Sequence, residues 1–288
     1  MIRCFFVLIA NFFIGISALA AAMVYPFSDQ PIDVVIPCVE KDLTTLKLCI
    51  RGIRENGANI RRIIVISKKP LTDEAEWFDE SDYPFSFQEI AAALAKNNPQ
   101  VTELLLQKGA RTGWYYQQLL KLYAPLVIPG ISTNVLILDA DVIFLHPVTF
   151  LNEKNGGLYN PGQEYHLPYF EHANRLIPGF YKCFPEYSGI SHHMIFQRAV
   201  IEALFEEVER YHDAPFWQVF CQLVDPQHLS YSGASEYEIY FNYAFARTNQ
   251  ISIRKLKWEN IQRLSEIDKY RRQGLDYVCP HAYARIEE

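Results

Sequence analysis

The feature that most constrains this chain is the stretch at residues 134–145, Asn-Val-Leu-Ile-Leu-Asp-Ala-Asp-Val-Ile-Phe-Leu. Its unbroken apolar run over residues 135–138 predicts a strand buried on both faces, and such strands belong to parallel sheets covered by helices. Asp139 and Asp141 follow at the carboxyl end, with apolar residues again behind them and Pro147 closing the segment. Two acids beside a hydrophobic strand repel each other and lose hydration, so a hard divalent cation between them is the simplest counter-charge. On a regular strand residues two apart point the same way, which would aim both carboxylates at one ion. The same spacing also serves turns and helix caps, so the rest of the chain has to decide.

The preceding residues supply the sheet. Residues 32–38 predict a first buried strand ending at Pro37, Leu43–Asn56 a helix with Leu46, Ile50 and Ile53 on one face and Gly57 after it, and residues 62–67 a second buried strand. Strand, helix and strand make a βαβ unit, so the expected fold class is α/β, a mostly parallel central sheet flanked by helices. No Gly-x-Gly-x-x-Gly follows the first strand, which disfavours a dinucleotide site. With 288 residues, half of them hydrophobic, the chain has ample core for one large domain. A net charge of −6 argues against binding nucleic-acid phosphates.

The amino terminus stands apart. Arg3 precedes an apolar stretch over residues 4–22 that closes in Ala18-Leu19-Ala20-Ala21-Ala22. It reads as a secretory signal peptide cleaved near Ala20 or Ala22, or as an uncleaved anchor giving membrane contact through residues 4–22. The mature protein is therefore expected to be exported or membrane-anchored, and not cytosolic unless the leader is a retained, inward-facing anchor. Beyond it, Cys38, Cys49, Cys183, Cys221 and Cys279 allow at most two bridges, and Cys38 and Cys49 sit among apolar residues as buried thiols would.

Residues 72–102 read as an acidic, solvated connection with a short Ala-rich helix near residues 87–95. Residues 113–124 are helical by their Leu and aromatic spacing, and Gln117 and Lys121, four apart, share a face. Alone this is an amphipathic helix with a polar outer stripe. Beside the Asp-x-Asp strand, Arg111 before it and Lys121 within it would offer positive charge to a phosphate or sugar.

The strand ending Val34-Val35-Ile36-Pro37, the Gly113-Trp114-Tyr115-Tyr116-Gln117-Gln118-x-x-Lys121 helix and the strand ending Leu138-Asp139-Ala140-Asp141, in that order, resemble nucleotide-sugar glycosyltransferases of the GT-A fold. They are most similar to an uncharacterised bacterial domain-of-unknown-function family, DUF6492-like. The resemblance implies a hexosyltransferase-like enzyme in which Asp139 and Asp141 hold Mn²⁺ or Mg²⁺ on the diphosphate of a nucleoside-diphosphate sugar, expected to be a UDP-sugar. It also implies that Pro37, Cys38 and Lys68 border the base. A glycan, lipid or protein would be the acceptor. Residues 31–150 would form the donor half and residues 151–288 the acceptor half of the same domain, after a leader at residues 1–22.

Residues 155–157 and 159–187 read as long loops. Their aromatics, Tyr165, Tyr169, Phe170, Phe180 and Tyr181, would either stack on sugars or form satellite core. Residues 188–196 lead into a strand, followed by a helix at residues 198–211. Only one of the tandem His192 and His193 can face a cleft from a strand, and His193 is taken as that one, on the donor. Ser235 and Glu238 fit a capping box, which leaves Glu236 as a candidate general base of an inverting reaction, or an acceptor-positioning carboxylate of a retaining one. The resemblance adds His281 as a third metal ligand beside Asp139 and Asp141. Lys255, Lys257 and Trp258 read as surface. The competing readings are a secreted, non-catalytic binding or effector protein on the same scaffold, and a metal-dependent phosphoryl hydrolase using the same acids.

Overall fold

Every residue of Ile32–Pro37 (β1) is buried, as a strand covered on both faces must be. Leu43–Asn56 (α1) follows and Ile60–Ser67 (β2) pairs parallel to β1, completing the βαβ unit. Glu76–Asp79 (β3) then adds parallel to β2, where the sequence reads as an acidic connection. Its residues are exposed or half-buried, as befits an edge strand whose charges face water.

Three helices, Phe87–Leu94 (α2), Pro99–Leu105 (α3) and Thr112–Val127 (α4), lead to Asn134–Leu138 (β4), which lies parallel to β1 on the side away from β2. Short strands Ile143–Phe144 (β5) and Leu158–Tyr159 (β6) and helix Leu167–Leu176 (α5) precede His193–Gln197 (β7), which pairs antiparallel with β4. Helix α5 falls within the long loop expected over residues 159–187. Arg198–His212 (α6), Phe216–Gln222 (α7) and Glu236–Arg247 (α8) cover the sheet. Ser252–Ile253 (β8), Trp258–Asn260 (β9), Ile267–Arg272 (α9) and Tyr277–Cys279 (β10) complete the chain.

The computed structural model describes residues 22–282 and 284–286, so the leader expected over residues 4–22 lies, Ala22 apart, outside the described residues. Among the described residues no helix is long and apolar enough to cross a membrane. The central sheet has the order β3-β2-β1-β4-β7, parallel except for β7. A smaller sheet, β5-β10-β9, and the pair β6-β8 pack beside it in one α/β domain. Because β2 and β4 leave β1 on opposite sides, the strand order reverses between β1 and β4, and the crevice beyond their carboxyl ends is where open α/β sheets bind ligands. Cys38, Cys49, Cys183, Cys221 and Cys279 are all free thiols, so neither of the two bridges the sequence permits is present.

Candidate functional site

The acids that follow β4 are not on a strand. The Asp139 N–H donates to the His192 carbonyl at 3.1 Å, and the Val142 N–H turns back to the Asp139 carbonyl at 3.1 Å, closing a tight turn immediately after Leu138. The period-2 geometry therefore ends one residue too early to aim the carboxylates together, and they diverge. Asp139 Oδ1 lies 2.5 Å from Lys121 Nζ. Asp141 Oδ2 lies 2.9 Å from His281 Nδ1, on the residue that follows β10 after Pro280.

Lys121 also reaches the acceptor half, donating to Glu236 Oε1 at 2.7 Å. At 4% and 3% exposure Lys121 and Glu236 are sealed from solvent. Burial works against the ammonium, but Asp139 and Glu236 outweigh it and hold the Lys121 pKa well above the ordinary lysine range. Burial pushes the Asp139 carboxyl up to about 6, against the opposing pull of Lys121. At Asp141 burial is likewise opposed, here by the hydrogen bond and charge of His281, which leave its carboxyl below the usual range. His281 is raised in return, since Asp141 outweighs the burial of the imidazole.

Helix α4 divides its polar side chains between two faces. Gln118 and Lys121, three apart, both turn to the start of α8, where Gln118 Oε1 accepts the Glu236 N–H at 3.1 Å. Gln117 faces the other way, into a cavity of about 850 Å³. The shared face expected for Gln117 and Lys121 is thus split, because the ion pairs with Asp139 and Glu236 draw Lys121 inward. Four other residues expected at the donor line that cavity: Pro37, Cys38, Lys68 and Arg111. It opens at the carboxyl ends of β1 and β2 and the amino terminus of α4. Lys68 lies 5.8 Å from the ring centroid of Phe87 and Arg111 4.3 Å from that of Trp114, so cations and aromatic rings alternate along the wall. Asp141 does not line the cavity, but its charge acts on two residues that do, Cys38 and Asp42.

Glu236 opens α8 under a serine N-cap, Ser235, but not a complete capping box. Ser235 accepts the Glu238 N–H at 3.2 Å, whereas the Glu238 carboxylate turns to Asn242 Nδ2 at 2.8 Å. The structure places His193 in a ring cage, 5.2 Å from Phe144 and 5.1 Å from Tyr277 between centroids, away from the cavity. Its neighbour His192 is the one at the site, its ring 5.1 Å from that of His281. The tandem pair follows the alternation rule, with the two residues in the opposite order to that expected. Trp258, expected at the surface, is half-buried, stacked on Tyr277 and edge-on to His192. Of the loop aromatics, Tyr169, Phe170 and Phe180 are core, while Tyr165 and Tyr181 are exposed. Gln118 was not singled out for the site, and nothing local marks it, since its partner lies 118 residues away; His192 was weighed as one of the tandem pair, and what decides for it, the ring of His281 after β10, is likewise remote in sequence.

Among the described residues no three His, Cys, Asp or Glu side chains gather as a protein-only metal site. Residues 32–269 match the family described as "Family of unknown function (DUF6492)". No curated protein gives a significant match. Among solved structures the chain is similar to that of mouse xyloside xylosyltransferase 1 in its apo form, with 12% sequence identity, a TM-score of 0.40, and 89% of this chain and 99% of that one covered.

Proposed function

The chain belongs to that family of unknown function, and from its site we propose that it is a metal-dependent glycosyltransferase using a nucleoside-diphosphate sugar, most simply a UDP-sugar. The observation that carries this reading is the cavity itself. It opens at the carboxyl ends of β1 and β2, where open α/β sheets bind ligands, and has the volume of a nucleotide-sized site. Phe87, Trp114 and Tyr116 offer faces for a base, and Lys68 and Arg111 offer charge to a diphosphate.

Asp141 and His281, hydrogen-bonded at 2.9 Å, are the residues that would hold a hard divalent cation. A cation held by few protein ligands and completed by phosphate oxygens needs no third side chain, which suits the separation of Asp139 from the pair. When bound, Mn²⁺ or Mg²⁺ would neutralise the departing nucleoside diphosphate. The chain's own residues do the rest. Asp141 and His281 would hold the cation, Lys121 balances Asp139 so that a second carboxylate can persist beside the first, and Glu236 fixes Lys121 from the acceptor half. Glu236, buried and ion-paired, is a positioning residue in this reading and not a base.

A thermal-shift panel of UDP, GDP and CMP with and without Mn²⁺ tests it. A ligand at 100 times its Kd adds about 2.7 kcal/mol to the folded state. UDP with Mn²⁺ should therefore raise Tm by several degrees, more than either alone. No shift with any nucleotide would contradict the reading.

A further inference from the structure

Three acids line the cavity, Glu40, Asp42 and Glu80. Glu40 is ion-paired with Lys69, and Asp42 immediately precedes α1, behind the strand that neighbours β4. Glu80 is the residue after β3, at the far edge of the sheet. It belongs to the stretch that reads from sequence as a solvated acidic connection, yet it is half-buried in the cavity wall, and burial holds its carboxyl above the ordinary range. The Tyr116 hydroxyl donates to the Glu80 carbonyl at 3.4 Å, the Tyr116 ring lies edge-on to Phe87 at 5.5 Å, and Lys68 Nζ stands 5.8 Å from the Phe87 centroid. All four side chains belong to residues of the cavity wall. The two opposite charges among them, Lys68 and Glu80, form no ion pair among the described residues, with each other or with any other side chain.

The strand order decides which part of a nucleotide would reach them. Lys68 follows β2 and Glu80 follows β3, whereas Asp139 and Asp141 follow β4, on the other side of β1. At about 4.8 Å between neighbouring strands, β4 and β3 stand about 14 Å apart. An extended nucleoside diphosphate whose phosphates turn to Asp141 and His281 therefore brings its base to Lys68 and Glu80. Lys68 so gains a narrower task than general positive charge, and Arg111 remains for the diphosphate.

The two groups are opposite in kind. A carboxylate only accepts hydrogen bonds and an ammonium only donates them, so neither can turn over to suit another base edge as an amide can. Uracil and guanine each present a ring N–H beside a carbonyl oxygen. Cytosine and adenine present the reverse, a bare ring nitrogen beside an amine.

We propose that Glu80 and Lys68 read the base of the donor, Glu80 accepting the ring N–H and Lys68 donating to the adjacent carbonyl, so that the donor is a uridine or guanosine diphosphate sugar. The proposal rests on the sugar-transfer reading above and leaves its metal and diphosphate end unchanged.

Calorimetry of UDP, GDP, CDP and ADP with Mn²⁺ tests it on the wild type, Glu80→Gln and Lys68→Met, with Mn²⁺ and pyrophosphate as the probe that has no base. Wild type should bind UDP or GDP about 10-fold or more tightly than CDP and ADP, the discrimination of one good base-edge contact. The tighter of UDP and GDP identifies the base. Glu80→Gln, whose amide suits either edge, should bind all four within about threefold of one another and keep the wild-type unfolding midpoint. Lys68→Met should lose affinity for the preferred nucleotide, and both variants should bind pyrophosphate as wild type does. CDP or ADP binding the wild type as tightly as UDP and GDP, Glu80→Gln keeping the wild-type preference, or either variant losing pyrophosphate affinity would overturn the proposal. A wild type that binds none of the four nucleotides overturns the transfer reading itself, and this proposal with it.

Discussion

Glu238 shows at single-residue scale how burial is used in this molecule. It is fully buried, accepts from Asn242 Nδ2 at 2.8 Å, and its second oxygen has no partner among the described residues. Burial is the largest influence and pushes its carboxyl up from 4.5 to about 7, the hydrogen bonds opposing it. Below pH 4.5 the folded and unfolded chains both carry the proton, and nothing is lost. As pH rises towards 7 the unfolded chain releases its proton first, so the folded state is destabilised progressively, by about 3 kcal/mol in full. Glu238→Gln should therefore flatten the fall in stability between pH 4.5 and 7 relative to wild type. Urea denaturation across that range measures it, and parallel pH profiles for the two proteins would contradict the assignment. Lys121 is a different case, since its two carboxylate partners outweigh its burial and it stays charged.

At the scale of elements, α1 packs on β5 through Gly52. A Cβ at Gly52 would meet the Phe144 amide nitrogen at 2.9 Å and its carbonyl oxygen at 3.0 Å, and the same carbonyl accepts from Asn56 Nδ2 at 3.0 Å. Backbone cannot yield as a side-chain tip would. Gly52→Ala should lower stability by about 1–2 kcal/mol despite the better helix propensity of alanine, read as a lower urea midpoint; an unchanged or higher midpoint would show that the α1–β5 contact has slack. Elements whose signal is periodic and apolar were legible from sequence, and α1 runs over Leu43–Asn56 as expected. β3 and α3 were not, because an edge strand and a short surface helix carry the same acidic and polar residues as a loop. The turn at Asp139 was hidden for another reason: strand periodicity says nothing of where a strand stops, and β4 stops because Val142 turns back on Asp139.

For the whole molecule, the site is an assembly across long sequence separations. Lys121 meets Glu236 across 115 residues and Asp141 meets His281 across 140. Spacing nominated Lys121, Asp141 and Glu236, and the family resemblance His281, each singly, but which acid takes which partner is decided by the packing of α4 against α8 and of β10 beside the β4 turn. The same packing moved Lys121 out of the cavity, put His192 in place of His193, and buried Glu236. What remains for a metal is the Asp141–His281 pair, and the account stands on it. Calorimetric titration of UDP in the presence of Mn²⁺ into the wild type and Asp141→Asn tests that claim most directly. Wild type should bind UDP in a Mn²⁺-dependent manner and Asp141→Asn should lose that dependence while keeping its unfolding midpoint; equal, metal-dependent affinity in the two proteins would contradict the account.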